Sequence, residues 1–129
     1  MIPKIIKRGT MYYADISPSV GSEQQGHRPV LILSNDTGNT HSPTVVVAAV
    51  TGRTKKPLPT HYLLPVGNGL AFKSQVLLEQ IRTLDKSRLH GFIGRLNKTT
   101  MEGVDRALAV SVGLECDTRT QAEDEATTT

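Results

Sequence analysis

The sequence has no tryptophan, one cysteine, three tyrosines and two phenylalanines in 129 residues. A lone Cys116 closes no disulfide within the chain and supplies no thiolate cluster for a metal. The four histidines, His27, His41, His61 and His90, lack the helix-face or hairpin spacing that ligation requires, so no metal site is expected. No apolar run approaches the ~20 residues that span a bilayer. The opening Met1 to Arg8 has neither the long apolar stretch nor the small-residue cleavage site of a secretory signal, so a cytoplasmic location away from membranes is expected. P-loop and dinucleotide fingerprints are missing, which disfavours ATP- or NAD-dependent chemistry, and no cofactor is expected. There is no GxSxG elbow, although a Ser-His-Asp set dispersed along the chain stays open.

The length fits one domain with a modest core. Charge is unevenly placed: residues 1–114 hold fourteen Lys and Arg against seven Asp and Glu, while residues 115–129 hold one Arg against five acids. The first part is therefore basic and favours an anionic partner such as nucleic acid. The second, almost free of apolar residues, is expected to be a disordered acidic tail.

Along the chain, Met11 to Ile16 reads as a short strand and Val30 to Ser34 as another. Asn35 to Asn39 and His41 to Pro43 are dense in turn formers. Thr44 to Val50, TVVVAAV, is β-branched and apolar without alternation, as expected of a strand covered on both faces. A basic loop with two prolines follows, then strands over His61 to Pro65 and Ser74 to Leu84. Glu79, Gln80, Arg82 and Thr83 interrupt the last of these, which makes it an edge or part of a site. Asp85 to Leu89 resembles one helical turn and Gly91 to Leu96 a closing strand. The terminal helix has a capping box at Thr99 to Glu102, with Asn97 as a competing cap, and an apolar stripe of Met101, Val104, Leu108 and Val112 up to Gly113. The sum is a mainly β domain with a C-terminal helix, a small, partly open barrel of α+β character.

The chemistry concentrates in Gly21 to Pro29, GSEQQGHRP, directly before an apolar strand. Gly21 and Gly26 allow tight turning and close ligand approach. Pro29 disfavours helix at Arg28, so the guanidinium is presented from extended backbone. Arg28 begins one core strand and Thr51 ends the next. If those strands are antiparallel neighbours, both residues reach the same end, where a guanidinium and a hydroxyl can hold a phosphate. Glu23 and His27 are the nearby proton-transfer candidates. RNA carries its own nucleophile, the 2′-hydroxyl, so such a site needs only positioning, a base and stabilisation of the phosphorane.

The segments GSEQQGHRPVLILSND at 21–36, SPTVVVAAVT at 42–51, KPLPTHYLL at 56–64 and LLEQIRTLDKSRL at 77–89 together resemble the MazF/PemK family of toxin endoribonucleases, collinear over residues 6–114. The resemblance implies a homodimer of SH3-like barrels over residues 1–114 that cleaves single-stranded mRNA at short motifs. It implies a metal- and ribosome-independent reaction leaving a 2′,3′-cyclic phosphate and a 5′-hydroxyl, restrained by a cognate antitoxin. By position, the catalytic arginine falls on Arg28, the threonine on Thr51 and the glutamate on Glu23. RNA contacts fall on Ser22, Gln24, Gln25 and His27, on Arg53, Thr54, Lys55 and Lys56 for flanking phosphates, and on Glu79, Gln80, Arg82 and Thr83 for base edges. His27 is not a family requirement; His61 and His90 are read as structural. With so few aromatic rings, recognition is expected to lean on hydrogen bonds and charge. Two other readings share this fold or charge: a gyrase-poison toxin that clamps a protein, and a barrel that binds RNA without cutting it.

Overall fold

Successive side chains of a strand point to opposite faces, and in the two central strands both faces meet apolar partners. Val45 and Val47 pack in one cluster with Tyr12, Ala14, Ile16, Val30 and Ile32, while Ala48 and Val50 pack in another with Met11, Leu31, Val76, Leu78 and Val104. This double burial is the reason TVVVAAV does not alternate. The computed structural model describes residues 5–17, 20–21, 26–52 and 56–114. The positions Ser22, Glu23, Gln24, Gln25, Arg53, Thr54 and Lys55 lie outside the described residues, as does the tail over 115–129.

The elements are β1 (Thr10–Asp15), β2 (His27–Ile32), α1 (Asp36–His41), β3 (Thr44–Thr51), β4 (His61–Leu64), β5 (Ser74–Asp85), a 3₁₀ turn (Lys86–Arg88), β6 (Leu89–Arg95) and α2 (Lys98–Val112). Six strands form one antiparallel sheet in the order β4-β5-β3-β2-β1-β6. β2 and β3 sit at its centre, as their continuous apolar runs imply. α2 lies against β4 and β5 and completes one of the two cores through Met101, Val104 and Ala107.

β5 is the strand that bends the sheet. Its partner on β3 moves from Ala48, opposite Ile81, to Ala49, opposite Leu77, so Leu78, Glu79 and Gln80 are looped out between consecutive pairs. Leu78 N–H donates instead to Thr60 O at 2.9 Å. A bulge of this size re-aims side chains and sharpens local twist. The polar interruption in the sequence marks the place, and the strand is an interior one whose middle is kinked, paired with β3 on one side and β4 on the other.

Several boundaries differ from expectation. β2 starts at His27, not Val30, which places Arg28 inside the strand. The turn formers after Ser34 build the six-residue α1, because Asn35 caps it by accepting from Gly38 N–H at 2.7 Å. Asn39 is buried there, its amide donating to Ser34 O at 2.8 Å. At α2 the competing cap prevails: Asn97 accepts from Thr100 N–H at 2.8 Å, leaving Thr99 in the first turn. Gly113 closes the helix with φ of 78°. The predicted stripe holds at Met101 and Val104 and fades at Val112, which is 54% exposed although its neighbour Ser111 still donates to Leu78 O of β5 at 2.6 Å. Arg8, from the segment before β1, ties to the helix by a two-pronged bond to Asp105 at 2.5 and 3.3 Å.

Candidate active site

β2 and β3 pair through Val30 with Ala49, Leu31 with Ala48 and Ile32 with Val47. Continuing that register outward by two residues sets Arg28 opposite Thr51. The same row runs on through Ala14 on β1 and Gln75 on β5, which pair with Arg28 and Thr51 respectively. By the two-residue alternation, Arg28 shares a face with Val30 and Ile32, and Thr51 shares it with Val47 and Ala49. Both side chains therefore belong to one face at one end of the central strands. Thr51 is only 1% exposed.

The kink in β5 brings two further polar residues to this face. Gln80 and Arg82 line a small recess together with Ile16, Val30, Val47 and Ala49. The Arg82 guanidinium donates to the Ile16 carbonyl. Arg88, from the 3₁₀ turn, donates to Asp15 O at 3.1 Å and to the Ser17 carbonyl. Two arginines thus grip three consecutive carbonyls where β1 leaves the sheet. Around them, Ile16 N–H donates to Gly26 O at 3.0 Å, Gly26 N–H donates to Ser17 Oγ at 3.0 Å, and Ser17 N–H donates to Asp15 Oδ1 at 3.0 Å. That last bond holds the Asp15 carboxyl below its usual pKa; desolvation opposes the shift and Arg88 adds to it. The chain between residues 17 and 26 is consequently closed at its base. Gly21 and Gly26 take φ of 59° and 85°, the left-handed angles their position calls for.

Other predicted site residues lie elsewhere. His27 is on the opposite face of β2 from Arg28, its ring stacked on Tyr13 with centroids 5.4 Å apart and planes within 9°. Glu79, in the looped-out segment, accepts from Thr60 Oγ1 at 2.9 Å and bonds His61 Nε2 at 2.8 Å. Burial raises the Glu79 pKa, but the His61 and Thr60 hydrogen bonds outweigh it and the net shift is downward. Among the described residues His61 Nδ1 is buried with no hydrogen-bond partner. Thr83 is exposed and pairs with Val46, on the face away from Arg82. Lys56 is exposed just after the undescribed 53–55. Among the described residues no helix is long and apolar enough to cross a membrane.

Over residues 7–112 the chain matches the family described as PemK-like, MazF-like toxin of type II toxin-antitoxin system. The chain belongs to that family. Endoribonuclease EndoA of Bacillus subtilis (strain 168) is 51% identical to it over 112 residues, 85% of this chain and 97% of the relative. MazF from Deinococcus radiodurans has the same fold, with a TM-score of 0.75 at 27% identity over 85% of this chain and 98% of that one. An endoribonuclease solved in complex with its cognate antitoxin, from a mycobacterial species, gives a TM-score of 0.73 at 30% identity over 85% and 97%. In this MazF-like toxin, sequence reasoning missed Arg88. Arg88 sits in the turn between two strands, 73 and 71 residues along the chain from the Asp15 and Ser17 carbonyls it bonds, and only the fold brings it to the root of the loop.

Proposed function

We propose that this endoribonuclease toxin cleaves single-stranded RNA by attack of the substrate's own 2′-hydroxyl, with Arg28 and Thr51 holding the phosphate. The observation that carries this reading is the β2–β3 register, whose extension sets Arg28 opposite Thr51 on one face. In the reaction the 2′-oxygen bonds to phosphorus, the bond from phosphorus to the 5′-oxygen breaks, and a 2′,3′-cyclic phosphate and a 5′-hydroxyl result. The Arg28 guanidinium donates to the phosphorane oxygens as negative charge builds there, and the Thr51 hydroxyl fixes the phosphate in line.

A base must take the 2′-hydroxyl proton. His27 faces away from Arg28, and an arginine stays protonated at neutral pH. Glu23 is therefore the residue we assign to this step, and the 5′-oxygen leaves with a proton from water. Gln80, on the same face, and Glu79, held by His61 and Thr60, read base edges, while Lys56 and the adjoining Arg53, Thr54 and Lys55 meet flanking phosphates. Ser22, Gln24 and Gln25 complete the reading loop. Arg82 supports the loop root through Ile16 O, so its part in recognition is indirect. The basic domain suits a homodimer that shares one RNA groove, and a cognate antitoxin with an acidic, disordered segment would fold into that groove and exclude RNA.

The test is incubation with a long single-stranded RNA in EDTA, with mapping of cut sites and ends beside Arg28→Ala. Cuts at a recurring short motif with cyclic-phosphate ends, lost in the variant, support the reading. An uncut RNA with a folded wild-type protein refutes it, and cutting that requires added metal refutes the metal-free chemistry.

A further inference from the structure

The chain has few aromatic rings, yet the fold gathers three planar side chains on the surface, on the face of β2 opposite Arg28. Tyr13 on β1 stacks on His27 of β2 at 5.4 Å and 9°, and His27 meets His90 of β6 at 5.2 Å and 35°. All three are exposed, Tyr13 by 41%. Gly91 flanks Tyr13: a Cβ there would sit 3.9 Å from the ring's Cδ2, so its absence keeps that edge of the ring open. His90 also borders a cleft of about 480 Å³ whose rim carries Lys7, Arg95 and the 61%-exposed Phe92.

The geometry points to a second RNA subsite, in which the ladder of Tyr13, His27 and His90 stacks an unpaired nucleobase flanking the cut. This rests on the ribonuclease reading given above. Stacked rings in water leave the outer face of each end ring unsatisfied, and every nucleobase has a face to offer it without regard to sequence. Position is compatible with the occupant: His27 and Arg28 are the first two residues of β2, so an RNA held at Arg28 meets the ladder on the other face by passing round the start of the strand. Charge supports it. Lys7 and Arg95 line the cleft that His90 borders and can meet phosphates there, and Asp15, which pairs with His27, is engaged by Ser17 N–H with Arg88 at its carbonyl. An apolar protein partner would be better served by aliphatic knobs than by two imidazoles.

The test measures binding of a labelled 2′-O-methyl oligoribonucleotide, which 2′-hydroxyl attack cannot cut, so the result is independent of the cleavage reading. His27→Ala and Tyr13→Ala are expected to weaken binding about tenfold, the loss typical of one stacked base, while His27→Phe keeps a ring and retains most of the affinity. An oligonucleotide abasic at the stacked position is expected to bind wild type as weakly as the intact one binds His27→Ala, with no further loss when the two are combined. Unchanged binding in both alanine variants, or losses that simply add with the abasic substitution, would overturn the subsite. Dissociation of an oligomer by Tyr13→Ala without any dependence on the base would overturn it too and assign the face to a second copy of the chain. Failure of wild type to cut an all-ribose RNA would instead refute the ribonuclease reading, whatever the binding result.

Discussion

Replacing Arg88 by alanine removes the donor to Asp15 O at 3.1 Å and to the Ser17 carbonyl, and leaves the root of the loop held by Arg82 and the local backbone bonds. A hydrogen bond from a charged donor contributes about 1.5–3 kcal/mol when protected from water. The Asp15 bond is exposed and the Ser17 bond only half-buried, so water replaces part of each and the expected total is about 1–2 kcal/mol. For a domain of this size that lowers the melting temperature by roughly 4–8 °C. The functional effect is separate: residues 17–26 join β1 to the strand that carries Arg28, so a slack root misplaces the loop against the phosphate. We expect kcat to fall by about tenfold or more, the cost of a small misplacement in an oriented site, with substrate affinity less affected. Thermal unfolding and single-turnover cleavage measure the two effects. Arg88→Lys, which keeps the charge without the planar fork, should recover stability more than rate. An unchanged melting temperature together with unchanged cleavage in Arg88→Ala would refute the reasoning.

Two glycines give an ordered pair of stability predictions. A Cβ at Gly94 would lie 1.9 Å from the Asn68 carbonyl, whereas one at Gly103 would lie 2.2 Å from the Tyr62 ring. Backbone yields less than a side chain, so Gly94→Ala should destabilise more than Gly103→Ala, the latter by about 1–3 kcal/mol, as read by denaturant titration. The lowered pKa of Glu79 has a signed consequence: its carboxylate stabilises the folded state above the ordinary value of 4.5, and that contribution is lost as pH falls through the lower folded value. The stability gap between wild type and Glu79→Gln should thus be constant at neutral pH and close in acid. It should be small, since Glu79 is partly exposed. Asp105→Asn should weaken the tie between Arg8 and α2 by under about 1 kcal/mol, because both side chains are substantially solvated.

Much of the fold was legible because burial leaves a plain mark on sequence. TVVVAAV announced a strand covered on both faces and Gly113 the end of α2, whereas the start of α2 was read at the Thr99 capping box and lies at its competitor, Asn97. Turn chemistry misled at Asn35 to His41, where the residues that favour turns also cap helices, and six residues leave too little periodicity to tell the two apart. That Arg28 and Thr51 reach one end was conditional on their strands being antiparallel neighbours, which the β2–β3 register supplies. The bulge at Leu78 to Gln80 did not follow from strand order: Glu79 and Gln80 flagged a disturbance, but its size depends on how β3 and β4 share β5. Likewise the Arg82 and Arg88 grip on residues 15–17, and the meeting of His27 with His90, join positions more than sixty residues apart, and no local pattern encodes them.

The central claim is that the substrate's own 2′-hydroxyl is the nucleophile at a phosphate held by Arg28 and Thr51. Its most direct test is an oligonucleotide carrying the mapped cut site with a single 2′-deoxy substitution at the nucleotide that precedes the cut. The account predicts that this one change abolishes cleavage there while binding persists. Continued cutting at the substituted position, with ends other than a cyclic phosphate, would contradict it.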